Sequence, residues 1–312
     1  MSQSRLAAIA AKSTIAQYAQ GAAREATSPV ADFLAPTVEV SSPTGYYRVY
    51  DDKTRFVVPD TRRAIGGRAT LLGWEKTDAT FNCAPHALDV PVDQMEGMAD
   101  DGIENSLKEA ADLAAEVGGL AHEKTTIDAA IAAVTAGVEE IDFAAAADVV
   151  DQIDTFLIEV IKAARYGSLM GLSLLFGPTY FRRLKNHPSI KARFPVGKNQ
   201  VVNPTESDIM GLFITKPDFR LSLMVADSAP MGKDASVNFL LDDKLLVFAR
   251  KANPTRRDPS FMKTFRLRGA WMAPRVYQRD DGRVEVAAMD WSEQVVVTNS
   301  SAAQLLSIKA GS

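Results

Sequence analysis

Three histidines and one cysteine are all that the chain offers for zinc ligation, and their spacing assembles nothing. His86, His122 and His187 lie far apart and Cys83 stands alone, so no metal-ligand pattern is present and each histidine has a structural or solvent-exposed reading. Gly197-Lys198-Asn199 and Gly232-Lys233-Asp234 lack the glycine spacing and the following hydroxyl of a phosphate loop, and read as turns. Ser173, in Gly171-Leu172-Ser173-Leu174-Leu175, lacks the closing glycine of a nucleophile elbow and reads as a strand residue. Asp100-Asp101 and Glu139-Glu140 are carboxylate pairs able to hold a metal or share a proton, but in so acidic a stretch a solvated helix face is the simpler reading. Arg182-Arg183 and Arg256-Arg257 suit phosphate or carboxylates across an interface. No convergent constellation emerges, and the expectation is a protein that is not an enzyme, with no cofactor and no metal.

A different kind of site is suggested between Gly45 and Val92. Gly45-Tyr46-Tyr47-Arg48-Val49-Tyr50 has the aromatic and branched residues of a strand, a short second strand is expected at Arg55-Phe56-Val57-Val58, and Pro59 ends it. Arg62, Arg63 and Arg68 surround Gly66-Gly67, and Trp74 to Cys83 returns as a largely polar strand. A two-stranded ribbon is marginal alone in water, and long irregular connections are uncommon unless functional or disordered. The segment is therefore expected to finish folding on another surface, with Arg55, Arg62, Arg63, Arg68, Trp74 and Lys76 as candidate contacts to an adjacent subunit.

The 312 residues are 46% hydrophobic and 24% charged, enough to bury one or two cores. A single cysteine forbids an intrachain disulfide and points to a reducing cytoplasm. The longest charge-free stretch, Tyr166 to Phe181, is too short and too rich in glycine to span a bilayer, and the alanine-rich first thirty residues lack the unbroken apolar core of a signal peptide. The net charge of -4 hides a segregation: residues 89 to 160 carry 18 acidic and two basic groups, and residues 161 to 283 carry 22 basic and ten acidic groups. The halves neutralise each other within one fold or pair between subunits. Neither reading suggests tight nucleic-acid binding.

The elements that follow the arm are periodic. From Asp93, Ile103, Leu107, Ala110, Ala114, Val117 and Ala121 make one apolar stripe on a long helix, with Glu104, Asp112, Glu116 and Glu123 off it and a bend or break expected at Gly118-Gly119. A second helix is expected from Ala147 to Arg165, with Val150, Ile153, Leu157, Val160, Ile161 and Ala164 on one face and Asp148 and Asp151 at its positive end. Leu172 to Phe176 reads as a buried strand and Gly177-Pro178-Thr179 opens a short helix through Lys185. Strands are expected at Leu221 to Ala226, Asn238 to Leu241 and Leu245 to Ala249. A hairpin at Asp280-Asp281-Gly282 joins Pro274 to Gln278 with Arg283 to Ala288, and Glu293 to Thr298 makes a last strand.

This order of elements resembles that of tailed-bacteriophage major capsid proteins, an α+β fold of the Hong Kong 97 type, and the likeness covers nearly the whole chain. Gly45 to Tyr50 looks like the strand entering that family's extended loop, and Phe81-Asn82-Cys83-Ala84-Pro85-His86-Ala87-Leu88-Asp89-Val90-Pro91-Val92 like the exit into its spine helix. Leu172 to Phe176 with Tyr180, Leu184, Asn186-His187-Pro188 and Ile190 resembles the opening of the axial domain. Gly118-Gly119 and the alanine-rich Ala129 to Ala147 depart from the pattern.

The resemblance implies an N-terminal arm at 1–44, an extended β-hairpin loop at 45–92, a peripheral domain with spine helix at 93–146, an axial domain at 147–260 and a C-terminal β segment at 261–312 returning to the peripheral domain. It further implies a virion shell of pentamers and hexamers around double-stranded DNA, assembled in the host bacterial cytoplasm without membrane contact, with scaffolding, portal and decoration proteins as partners. Some members crosslink through a loop lysine; Lys53 and Lys76 have no recognisable partner for it. An encapsulin-like compartment shell shares the fold and is the alternative, and a soluble enzyme or binding domain with the arm as a lid is the third.

Overall fold

A computed structural model of the chain describes Tyr18 and residues 29–49, 60–63, 65–70, 77–95, 102–134, 137–164, 171–194, 204–229, 233–251, 253–269, 271–279 and 282–309. Two five-stranded sheets organise it. The first holds β1 (Thr37–Val40), β4 (Ala84–Asp93), β11 (Met262–Leu267), β12 (Ala273–Gln278) and β13 (Val284–Val297). β13 is the hub: it pairs antiparallel with β4 from Val284↔Asp93 to Glu293↔Ala84, with β12 and with β11, while β1 lies parallel to β11. The second sheet runs in the order β5 (Val138–Ile141), β14 (Ala303–Ile308), β10 (Lys244–Ala249), β6 (Leu172–Phe176) and β7 (Asp218–Leu221). Residues 261–312 thus divide between the sheets, because β14 pairs with β10 and β5 while β11 to β13 build the first sheet.

One helix serves both cores. After the short helix α1 (Pro29–Leu34), α2 (Ile103–Val134) runs for 32 residues, about 48 Å at 1.5 Å per residue. Its first half lays Leu107, Ala110, Ala111, Ala114 and Ala115 on Val92, Met272, Ala287 and Met289 of the first sheet. Its last turns put Ile127, Ala130 and Val134 into the core of the second. The helix passes unbroken through Gly118-Gly119, so the break expected there is absent. A Cβ at Gly118 would lie 2.9 Å from Met272 Cε, so the glycine leaves room for the end of that side chain at a helix cost of about 1 kcal/mol. Three further assignments change: Val117 and Ala121 face solvent, and Glu123 is buried. The buried face there is Gly118, Gly119, His122 and Glu123, which hydrophobicity alone does not mark.

Around the second sheet, α3 (Val149–Ala164) buries Val150, Ile153, Leu157, Val160 and Ala164 as its periodicity predicts. Asp148 caps it, accepting from the N–H groups of Val150 and Asp151, and pairs with Arg193 at 2.6 Å. β6 is buried throughout, and α4 (Pro178–Asn186) and α5 (Pro188–Arg193) follow. A two-stranded ribbon of β8 (Val225–Asp227) and β9 (Val237–Phe239) stands off the sheet, and α6 (Glu206–Met210) precedes β7. The strands expected at Arg283–Ala288 and Glu293–Thr298 are one continuous β13, while β1, β5, β11 and β14 carry too short or too mixed a pattern to announce themselves. Among the described residues no helix is long and apolar enough to cross a membrane.

The junction of α2 with the first sheet is ionic. Glu293 on β13 is 6% exposed and accepts from Arg266 of β11 at 3.0 Å, while its other oxygen lies 2.8 Å from His122 Nδ1 on α2. Burial pushes the Glu293 carboxyl up, but the hydrogen bond and field of His122 and the Arg266 guanidinium outweigh it, leaving the pKa below the ordinary carboxylate value. Because the folded value is the lower one, this group's contribution is complete above the unfolded pKa of about 4.3 and is lost as pH falls through the folded value. Acid titration of unfolding free energy should therefore show a loss in the wild type that is smaller in Glu293→Gln. That variant should also be less stable at neutral pH, by up to about 3–5 kcal/mol as for a broken buried pair. Identical acid limbs in the two proteins would contradict the assignment.

Candidate functional site

The arm begins as a paired ribbon. β2 (Thr44–Val49) and β3 (Thr77–Asn82) pair antiparallel from Thr44↔Asn82 to Val49↔Thr77. The expected two-stranded hairpin is therefore present at its root, with β3 beginning at Thr77. The 27 residues from 50 to 76 join the strands, and of these 60–63 and 65–70 are described. Arg55, Trp74, Lys76 and the strand expected at Arg55–Val58 lie outside the described residues.

What roots the ribbon is an aromatic cluster that the sequence reading did not single out. Phe81, 1% exposed, stacks on fully buried Phe265 of β11 with ring centroids 4.4 Å apart, and Tyr47 packs on the same ring at 5.6 Å. Val38, Val40, Cys83 and Val296 complete this small core. Gly45 is the cross-strand partner of Phe81, and a Cβ there would meet the Phe81 ring at 2.7 Å, so the missing side chain is what lets the ring lie across the ribbon. The Arg256 guanidinium covers Phe81 at 5.5 Å, and the Asn82 N–H donates to Gln294 Oε1 at 2.7 Å. The signal available in sequence was the Gly45 and Phe81 pair, recognisable only once the register is known.

Away from this root the described part of the arm exposes its charge. Residues 60–70 close on themselves, with Thr70 Oγ1 donating to the Asp60 carbonyl at 3.1 Å and the Arg62 N–H donating to Asp60 Oδ1 at 2.9 Å. Gly66 turns the loop at φ +79°, a left-handed conformation that glycine adopts without strain. Arg62, Arg63 and Arg68 are all exposed here, and among the described residues none of their guanidinium groups has an ion pair. Ile65, between them, is wholly exposed at 107%. The structure thus brings three of the six candidate residues onto one loop and presents with them an isoleucine that sequence reasoning missed.

His187, His86 and Ser173 resolve into structure, while Asp100-Asp101 and Gly197-Lys198-Asn199 lie outside the described residues. His187 is buried, bonds Ser189 at the start of α5 and lies 3.2 Å from the Ala144 carbonyl, while His86 stacks on Trp291. Ser173 sits buried in β6 and accepts from Arg250 at 3.1 Å. Among the described residues no three of His, Cys, Asp and Glu are gathered as a metal site.

No protein-family model matches the chain, and no curated protein matches it by sequence. Solved structures do. A phage-related protein from Bordetella bronchiseptica RB50 matches with a TM-score of 0.65 at 14% identity, over 94% of this chain and 96% of its own. The capsid structure of the Cyanophage P-SCSP1u matches at 0.53 and 13% identity, over 88% and 86%. The SrpI encapsulin of Synechococcus elongatus PCC 7942 matches at 0.53 and 13% identity, over 90% and 87%. The chain therefore has the α+β fold of phage capsid proteins, the Hong Kong 97 type expected from its order of elements.

Truncating Phe81 should detach the arm at its root. Phe81→Ala is expected to cost about 3–5 kcal/mol by urea unfolding and to speed amide exchange in Thr44–Val49 and Thr77–Asn82. Unchanged exchange in both strands would show that the ribbon is held some other way.

Proposed function

We propose that the chain is the structural subunit of a closed icosahedral shell, the head of a tailed phage around double-stranded DNA. The observation that carries this reading is the arm: a ribbon anchored in its own subunit by Phe81 and Tyr47, continuing into a loop that exposes Arg62, Arg63, Ile65 and Arg68, whose arginines have no ion pair among the described residues. Such a loop is stable where a neighbour covers it, and closed symmetry repeats one modest contact many times over. The capsid fold supports the same conclusion. In this assignment the first sheet with α2 forms the peripheral part, 93–146 with the returning strands. The second sheet and α3 form the axial part, 147–260 joined by β5 and β14 from outside that range, facing the five- or six-fold centres. Scaffolding, portal and decoration proteins are the partners proposed for such a head, and the virion is where the mature shell resides.

A second reading is an encapsulin-like compartment, favoured by the equal likeness to the Synechococcus elongatus encapsulin. What the particle encloses separates the two. Electron microscopy and sedimentation of the expressed protein, alone and with its scaffolding partner, should show closed particles, and nuclease-protected DNA inside particles from infected cells is the expected content. Protein cargo without DNA establishes the compartment instead; a protein that stays monomeric under every assembly condition refutes both.

A further inference from the structure

Phe33 of α1 lies over the end of the second sheet where β10, β6 and β7 run side by side. Its ring meets Phe248 edge-on at 5.6 Å, and two guanidinium groups cover it, with Arg250 Cζ 4.1 Å and Arg220 Cζ 5.4 Å from the centroid. Strand alternation explains the meeting. Ser173 is the cross-strand partner of both Phe248 and Asp218, and Arg250 and Arg220 are the next residues on the same face. No run of basic residues announces the cluster in sequence, because β8, β9 and β10 lie between its two arginines.

The cleft around them has a volume of about 460 Å³ and is open at the surface, where Lys216, Asp218 and Arg220 are exposed. Lys216 lines it from a left-handed backbone at φ +44°, a conformation that costs a residue other than glycine on the order of 1 kcal/mol. Three cations thus stand in a lining whose one carboxylate is Asp218. Phe33, 5% exposed, is the seat of the arginines and not a wall for a ligand.

These cations are positioned but not satisfied. The Arg250 side chain is only 19% exposed, and its Nε donates to Ser173 Oγ at 3.1 Å. Neither of its Nη groups makes a hydrogen bond among the described residues, since Asp218 stands 3.6 Å from Nη2, an ion pair longer than a hydrogen bond. Among the same residues the side chains of Arg220 and Lys216 have neither an ion pair nor a hydrogen bond. Burial, and with it the charge of Arg220, pushes the Arg250 guanidinium below its ordinary value against the pull of Asp218. An anion in the cleft removes that repulsion.

We propose that this cleft binds a phosphate group, whose oxygens accept from the Nη groups of Arg250, from Arg220 and from Lys216. A guanidinium fixed on an aromatic face presents a rigid fork that matches two phosphate oxygens, and its ordering cost is met before the ligand arrives. Three donors on separate strands and turns call for a tetrahedral anion, because a carboxylate offers its oxygens in one plane. Two sources carry that group in the proposed shell, the backbone of packaged DNA and free phosphate compounds. The binding itself does not depend on the shell reading.

Inorganic phosphate titrated into the full-length chain at constant ionic strength, followed by phosphorus NMR line width, should saturate at one site per chain. Arg220→Gln and Arg250→Gln should each weaken it about tenfold, the size of one lost charge-assisted hydrogen bond. Arg220 is exposed, so its variant tests the site even where loss of Arg250 disturbs folding. A short mixed-sequence DNA duplex separates the sources: displacement of the phosphate assigns the site to the DNA backbone, and phosphate that stays bound assigns it to free phosphate compounds. No saturable binding, saturation unchanged in Arg220→Gln, or succinate held as tightly as phosphate overturns the proposal. The readout needs no particle, so its failure leaves the shell reading standing.

Discussion

A carboxylate placed where water cannot reach must be paired, and Glu293 meets that demand by tying three elements together. It stands at the point of β13 where β4 and β11 both pair with the strand, and its two oxygens are taken by His122 of α2 and Arg266 of β11. Arg266 in turn lies 3.5 Å from the centroid of Trp271, and the His122 ring meets the same indole edge-on. Removing one member leaves a buried charge unmatched, so the position of the long helix over the sheet is fixed more sharply than alanine packing alone would fix it. Because α2 then continues into the second core through Ile127, Ala130 and Val134, that one ionic junction also sets how the two sheets are spanned.

The same sheet holds the arm, and it does so by ordinary hydrophobic means. Phe265, on the strand that supplies Arg266, presents its ring to Phe81 and Tyr47, so the ribbon's root is part of a core that is fully ordered within the subunit. Beyond the root the balance reverses: polar and cationic residues dominate, and Ile65 is wholly exposed. A second buried carboxylate, Glu123, next to His122 on α2, shows the contrast. Burial pushes the Glu123 carboxyl up, and the N–H groups of Val30 and Ala31 that donate to it do not fully compensate, so the group that docks α1 stays above the ordinary carboxylate range. Rigid body and outreaching loop are thus built from different physics in one chain.

How much of this was legible beforehand followed the strength of local periodicity. α3 shows an uninterrupted stripe from Val150 to Ala164, and β6 is an apolar run between glycines, and both stood where expected. The buried face of α2 was misassigned after Ala114 because glycine, histidine and glutamate occupy it for reasons of close approach and pairing, which no hydrophobic count detects. β13 looked like two strands, since Asp290 and Ser292 interrupt its apolar pattern, and β1, β5 and β14 are short strands whose partners lie far away in sequence. Of the site, the ribbon and the arginines were visible as composition. The Gly45 and Phe81 pairing and the exposure of Ile65 were not, because register and accessibility are properties of the fold.

The central claim is that the arm completes its folding on another subunit. A cryo-electron microscopy reconstruction of assembled particles, at a resolution that separates side chains, tests it most directly. The account predicts continuous density leaving Val49, crossing a subunit boundary and placing the loop of Arg62, Arg63 and Ile65 on the neighbouring chain. Density showing that loop folded against its own subunit in every copy would contradict it.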